Sequence, residues 1–243
     1  MTAPGLLPQL APRLYLVTDR RATGGRPLGD VVAAALGAPA VAAAPAWTVA
    51  VQLREKDLDG RALAALAREL RDVTSAARAA LYVNGRADVA LAAGADGVHL
   101  GGGALSPADV ARVGPGLAVA ISTHAPAEVA EVAKVATLAA AGLRFAVFGP
   151  VWDTPSKRAL GVPVGVEALR AAARATPELP LLALGGVTPA RAAACLRAGA
   201  SGVACIRAVM AAPDPARAVE ELLASLAPVV AAQPVVETQK GKT

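Results

Sequence analysis

Short apolar runs rich in valine, leucine and isoleucine recur along the chain: Leu14–Thr18, Thr48–Leu53, Ala80–Val83, Gly97–Leu100, Leu117–Ser122, Phe145–Gly149, Leu181–Leu184 and Val203–Ile206. Each has the length of a buried strand. Between them, Gly60–Ala77, Pro126–Ala141, Gly165–Thr176 and Pro189–Ala198 repeat apolar residues at three- and four-residue spacing, which marks one face of a helix. Asp30, Asp59, Ser106 and Thr188 stand where side-chain caps would open helices, and Gly94 and Gly199 stand where helices would stop. Strands alternating with helices predict parallel pairing through helical crossovers.

Eight such units in 243 residues predict an α/β fold, a single closed (β/α)₈ TIM barrel. An open doubly wound sheet would carry a glycine fingerprint after its first strand. Here that strand runs into Asp19 and Arg20. The barrel is expected over residues 13–227, with an N-terminal extension over 1–12 and a disordered C-terminal tail over 228–243. The Ala- and Pro-rich run Gly37–Trp47 carries no functional signal.

Composition narrows the partners. Hydrophobic residues make up 55% of the chain and charged residues 18%, enough apolar material for a large core. The net charge of +5 and the 2% of aromatics, without basic runs, exclude a nucleic-acid partner and suit an anionic small molecule. Cys195 and Cys205 lack metal-ligand spacing and lie in apolar segments, so buried thiols in a reducing compartment are expected. No secretory leader is visible at the N-terminus. The Ala-rich run Val31–Ala44 is interrupted by Gly37 and Pro39 and is too short to span a bilayer. A cytoplasmic protein with no membrane partner is expected.

In a barrel of this kind, residues at the carboxyl ends of the strands form the site. Gln52, Arg54 and Lys56 share one face at the end of the second strand, because strand side chains alternate, while Val49, Val51 and Leu53 face the other way. Two cations beside an amide suit a bound anion. Asn84 follows the third strand; Ser122, Thr123 and His124 end the fifth. Beyond the sixth, Thr154, Ser156 and Lys157 lie in a proline-flanked loop with the makings of a flap. Gly185 and Gly186 follow the seventh strand and Ile206-Arg207 the eighth, where barrels of this class seat phosphate on main-chain N–H groups. His99, inside Gly97–Leu100, reads as a hydrogen-bonded core histidine; His124, past its strand, reads as functional. Asp19 fits a loop cap as well as a functional role, and Asp88 and Asp96 read as helix-surface or turn residues.

The phrases Tyr15–Asp19, Gln52–Lys56, Ala93–Gly101, Ser122–His124, Phe148 to Lys157 and Gly185–Val187, in this order, resemble the thiamine-phosphate synthase family, which includes the TenI-type thiazole tautomerases. The likeness runs from about Leu14 to Leu226 and itself implies a (β/α)₈ barrel. It also implies two possible activities. The synthases join an aminopyrimidine diphosphate to thiazole phosphate and expel pyrophosphate, with Mg²⁺ held by aspartates in an Asn-Asp and a Gly-Gln-x-Asp motif. This chain has Asn84-Gly85 and Gly101-Gly102-Gly103-Ala104 instead, so both acids are absent. The tautomerases aromatise a carboxythiazole phosphate by moving a proton, without a metal or other cofactor.

The missing acids favour the tautomerase branch at this stage. The resemblance then makes His124 the proton shuttle. Gly185, Gly186, Ile206 and Arg207 seat the phosphate, Arg54 and Lys56 hold the substrate's other anion, Gln52 and Asn84 orient it, and Ser122, Thr154 and Lys157 complete the pocket. The alternatives are a synthase, with Mg²⁺ as its cofactor, and a non-catalytic regulatory barrel that binds a phosphate ligand. The resemblance also implies a homo-oligomer acting on thiazole phosphate.

Overall fold

The computed structural model describes residues 11–134, 142–154 and 163–226. Eight strands pair in parallel, each with its sequence neighbours, and β1 closes on β8 into a barrel. They are β1 Leu14–Val17, β2 Val49–Leu53, β3 Ala80–Asn84, β4 Gly97–Leu100, β5 Ala118–Thr123, β6 Leu143–Phe148, β7 Leu181–Leu184 and β8 Gly202–Cys205. Helices between and after them are α1 Leu28–Leu36, α2 Pro39–Ala43, α3 Gly60–Ala76, α4 Ala87–Ala92, α5 Pro107–Val113, α6 Pro126–Ala133, α7 Gly165–Ala175, α8 Pro189–Arg197, α9 Arg207–Met210 and α10 Pro215–Leu226. The expected strands are all present, with ends shifted by two residues or fewer. The tail expected from residue 228 and most of the extension expected over 1–12 lie outside the described residues. So does the end of the helix expected to reach Ala141.

Two apolar cores result from the period-two pattern. Outward-facing Val49, Val51 and Leu53 join the shell between strands and helices. Inward-facing residues fill the barrel with small side chains, Ala50, Ala80, Ala118, Ala120 and Ala204, around three large rings. Tyr15, Tyr82 and Phe145 meet edge to face, with centroids 5.1 to 5.7 Å apart. Such pairs stabilise by about 0.5–1.5 kcal/mol each beyond their buried area. In a chain this poor in aromatics, both tyrosines are spent here.

Local chemistry sets the helix ends. Asp59 caps α3 by accepting from the Ala62 N–H at 2.8 Å, and Ser106 opens α5 in a capping box with Asp109. Asp30 is not a cap: α1 begins earlier, after Pro27, whose fixed φ already suits a helix start. Thr188 occupies the cap position of α8, but its side chain makes no capping bond. Helix α2, within the Ala- and Pro-rich run, starts on Pro39 and buries Val41.

Burial pushes the Cys205 and Cys195 thiols up to about 12. The folded state therefore favours the neutral thiols, relative to an ordinary value of 9.0. Their contribution to stability is complete below that ordinary value and is lost as pH rises from it towards 12. A disulfide-forming reagent at pH 8 is expected to leave the native protein unmodified and to titrate two thiols per chain in denaturant; rapid native labelling would contradict this burial. No helix among the described residues is long and apolar enough to cross a membrane.

Candidate active site

The carboxyl ends of the strands carry the expected residues, but as separate groups. The loops after β1 and β2 are locked together by Glu55, which is buried between the exposed Lys56 and the half-buried Arg54. The Thr18 hydroxyl donates to Glu55 Oε1 at 2.8 Å and accepts from the Arg54 N–H at 2.8 Å. The Arg20 N–H and guanidinium also donate to Glu55. Arg20 grips Asp57 through both terminal nitrogens, at 2.6 and 2.8 Å, and Arg21 adds a third contact. Arg20 thereby holds the Asp57 carboxyl well below its usual range. Asp19 caps the short 3₁₀ turn here by accepting from the Arg21 N–H.

These pairings engage Glu55 and Asp57, and the third carboxylate of the second loop, Asp59, caps α3. Among the described residues, Arg54 and Lys56 have no ion-pair partner. Lys56, Asn84, Gly85 and Arg86 line a cavity of about 320 Å³ together with Glu55. Arg86 is held at its edge by a two-pronged bond to Asp88, at 2.9 and 2.6 Å.

Gln52 differs from expectation. It shares the inward face with Arg54 but is buried, and its amide nitrogen donates to the Tyr15 hydroxyl at 3.3 Å. Tyr15 in turn contacts His99 Nδ1 at 3.3 Å, and His99 Nε2 contacts Ser122 Oγ at 2.8 Å. A continuous polar chain thus crosses the barrel interior and surfaces at the half-buried Ser122. Burial raises the Tyr15 phenol far above its ordinary value, so it stays neutral.

His124 lies just beyond β5, exposed, with its main-chain N–H bonded to Glu128. Its Nδ1 lies 2.6 Å from the Gly149 carbonyl, an acceptor only, so Nδ1 carries a hydrogen and donates it there.

The second cavity, about 370 Å³, lies over the ends of β7 and β8 and is lined by Thr154, Gly185, Gly186, Ile206 and Arg207 among others. Gly185 and Gly186 both have positive φ, which only glycine adopts without strain. They leave the main chain bare where the β6 loop crosses: the Trp152 N–H donates to the Gly185 carbonyl at 3.1 Å. Arg191 bonds the Gly186 carbonyl and lies 5.2 Å from the Trp152 ring centroid. The remaining expected residue of this loop, Lys157, lies outside the described residues. Trp152, Arg191, Glu55 and Thr18 are structural members of the mouth that the sequence patterns do not single out.

The residues present do not fit the Mg²⁺ site that the family resemblance implies. Gly85 and Ala104, which stand where the two aspartates would, bring no donor side chain. The neighbouring carboxylates are engaged elsewhere, Asp88 with Arg86 and Asp109 with Ser106 and Arg112. Among the described residues, no group of three His, Cys, Asp or Glu side chains could hold a metal ion.

A closed parallel barrel with hydroxyl, imidazole and cationic groups at the carboxyl ends of its strands has the architecture of the (β/α)₈ barrel enzymes. The family model described as thiamine monophosphate synthase matches residues 14–209. The chain belongs to that family, whose members serve thiamine biosynthesis. A putative thiamine-phosphate synthase from Geobacter sulfurreducens is 45% identical over 217 residues, covering 88% of this chain and 94% of the relative. The thiamine-phosphate synthase of Roseiflexus castenholzii is 44% identical over 211 residues, covering 86% of each. A solved thiamine phosphate pyrophosphorylase from Pyrococcus furiosus superposes with a TM-score of 0.76 at 31% identity, covering 91% of this chain and 98% of the other. The names of these relatives favour the synthase over the tautomerase branch.

Proposed function

We propose that the chain is a thiamine-phosphate synthase, a transferase that joins an aminopyrimidine diphosphate to thiazole phosphate. The observation that carries this reading is near-full-length identity of 44–45% to relatives bearing the synthase name. The geometry supports it through two separate cavities: one bordered by Lys56 and near Arg54, the other by Gly185, Gly186 and Arg207. Two seats suit two anionic substrates. In the reaction a carbon–nitrogen bond forms as the carbon–oxygen bond to diphosphate breaks, and the electron pair leaves with pyrophosphate. Lys56 and Arg54, which have no carboxylate partner among the described residues, stabilise that departing charge; the glycine seat holds the thiazole phosphate. Holding both partners in one mouth supplies the entropic part of the rate.

The tautomerase remains the second reading, favoured by Gly85 and Ala104 in place of acids and by the imidazole of His124 at the end of β5, a kind of group able to take and return a proton. One assay separates the two. Purified protein incubated with both synthase substrates is expected to yield thiamine phosphate and pyrophosphate, with less than about a tenfold loss on adding a chelator, because cationic side chains supply the charge an ion otherwise would. No thiamine phosphate, together with carboxythiazole phosphate isomerisation abolished in His124→Ala, would reverse the order. No turnover of either substrate would return the non-catalytic binding barrel.

A further inference from the structure

We propose that His99 is a positioning residue that fixes the Ser122 hydroxyl as a hydrogen-bond donor aimed at an anionic oxygen in the mouth. The inference rests on the phosphate-ester reading given above and adds a residue to it. The polar chain from Gln52 to Ser122 has a direction. Tyr15 is fully buried and neutral, so its oxygen carries one hydrogen. That oxygen accepts from the Gln52 amide nitrogen. The rings of Tyr82 and Phe145 flank the Tyr15 ring by their edges, and His99 Nδ1 is the acceptor within reach of its hydroxyl, at 3.3 Å. Tyr15 therefore donates to His99 Nδ1.

A neutral imidazole that accepts at Nδ1 must hold its hydrogen on Nε2. His99 Nε2 then donates to Ser122 Oγ at 2.8 Å. With one of its lone pairs already occupied, the serine hydroxyl is left with its own hydrogen to give. Ser122 sits at the carboxyl end of β5, half-buried, where that hydrogen can reach a ligand in the mouth. The opposite polarity, with His99 accepting from Ser122, would present lone pairs there and repel an anion. His99 itself is buried and lines neither of the two cavities described above, so its effect on a ligand runs through Ser122.

The test begins with the protein free of ligand. Nitrogen-15 NMR of the imidazole is expected to show His99 neutral and protonated on Nε2. Pyrophosphate is then titrated into wild type, His99→Leu, His99→Gln, Ser122→Ala and the double variant His99→Leu/Ser122→Ala. His99→Leu and Ser122→Ala are each expected to weaken binding about tenfold, and the double variant no further than Ser122→Ala, since one donor is lost in all three. His99→Gln, whose amide nitrogen can take the place of Nε2, is expected to recover most of the affinity. A signal showing Nδ1 protonated, or additive losses in the double variant, overturns the proposal even in an enzyme with normal turnover. The expected tautomer and the expected non-additivity in a wild type that makes no thiamine phosphate would instead overturn the synthase reading and leave the role of His99 standing.

Discussion

Gly97→Ala is expected to destabilise the protein by about 3 kcal/mol, the upper range for overpacking a filled core. Gly97 opens β4 on the inner side of the barrel, and a Cβ there would lie 2.3 Å from the Ala118 carbonyl oxygen and 2.5 Å from Tyr82 Cε1. The first of these is main chain in the neighbouring strand, held by the β4–β5 ladder, and cannot give way alone. The second is a ring wedged edge to face against Tyr15 and Phe145. Moving it disturbs the base of the chain that runs through Tyr15 to Ser122. Thermal unfolding should show a drop of roughly 6–12 °C for a domain of this size. Gly102→Ala, where a Cβ would meet open space, serves as the control and should leave the midpoint within about 1–2 °C, as neutral surface changes do. Combining Gly97→Ala with Tyr82→Leu should recover part of the loss, because the ring is one of the two clashing groups. A fully stable Gly97→Ala single variant would show that the barrel interior is looser than these distances require.

What the sequence reveals of this molecule depends on how local the responsible physics is. A short, nearly continuous apolar run marks every strand, because a strand of a closed parallel barrel is buried on both faces along one segment. The glycine pair after β7 is equally legible as a position: Gly185-Gly186 follows the seventh unit of the barrel and lines one cavity with Thr154, Ile206 and Arg207. Side-chain partnerships across the barrel are not legible. The period-two rule puts Gln52 on the inner face, but its partner Tyr15 is 37 positions away in the chain, and only closure of β1 against β2 brings them together. His99 reads correctly as buried and hydrogen-bonded, yet the identity of the bonded group, 23 positions on, is what gives it a role. Glu55 is hidden between two cations that look like the message; its true partners, Thr18 and Arg20, lie on the preceding loop. Asp30 fails as a cap for a smaller reason, the competing helix start offered by Pro27.

Gly186→Val is expected to lower kcat/KM for the phosphate-bearing substrate by about 100-fold, or roughly 2.7 kcal/mol, at a smaller cost in stability. Two effects add. A β-branched residue at a φ of +63° is strained, since left-handed conformations cost non-glycine residues about 1–2 kcal/mol. Its Cβ would also lie 2.8 Å from Trp152 Cβ and 3.0 Å from the Asp153 carbonyl oxygen. Relief of that clash must come from the β6 loop, because Gly186 is itself tied down through its carbonyl by Arg191. The loop would lift, stretching the Trp152–Gly185 main-chain bond and moving Thr154 off the cavity it lines. The mouth would lose its bare main-chain surface and one wall together, and a seat displaced by about 1 Å is enough to cost 10²-fold in a positioned reaction. Gly24→Ala gives the comparison: it has nearly the same φ, +67°, but nothing within 4 Å, so it carries strain without collision. Steady-state kinetics with thiazole phosphate as the varied substrate would separate the contributions. The loss in Gly186→Val should appear mainly as a raised KM for thiazole phosphate, with the KM for the diphosphate partner little changed, because Lys56 lines the other cavity. An equal rise in both constants would mean that the two seats are one.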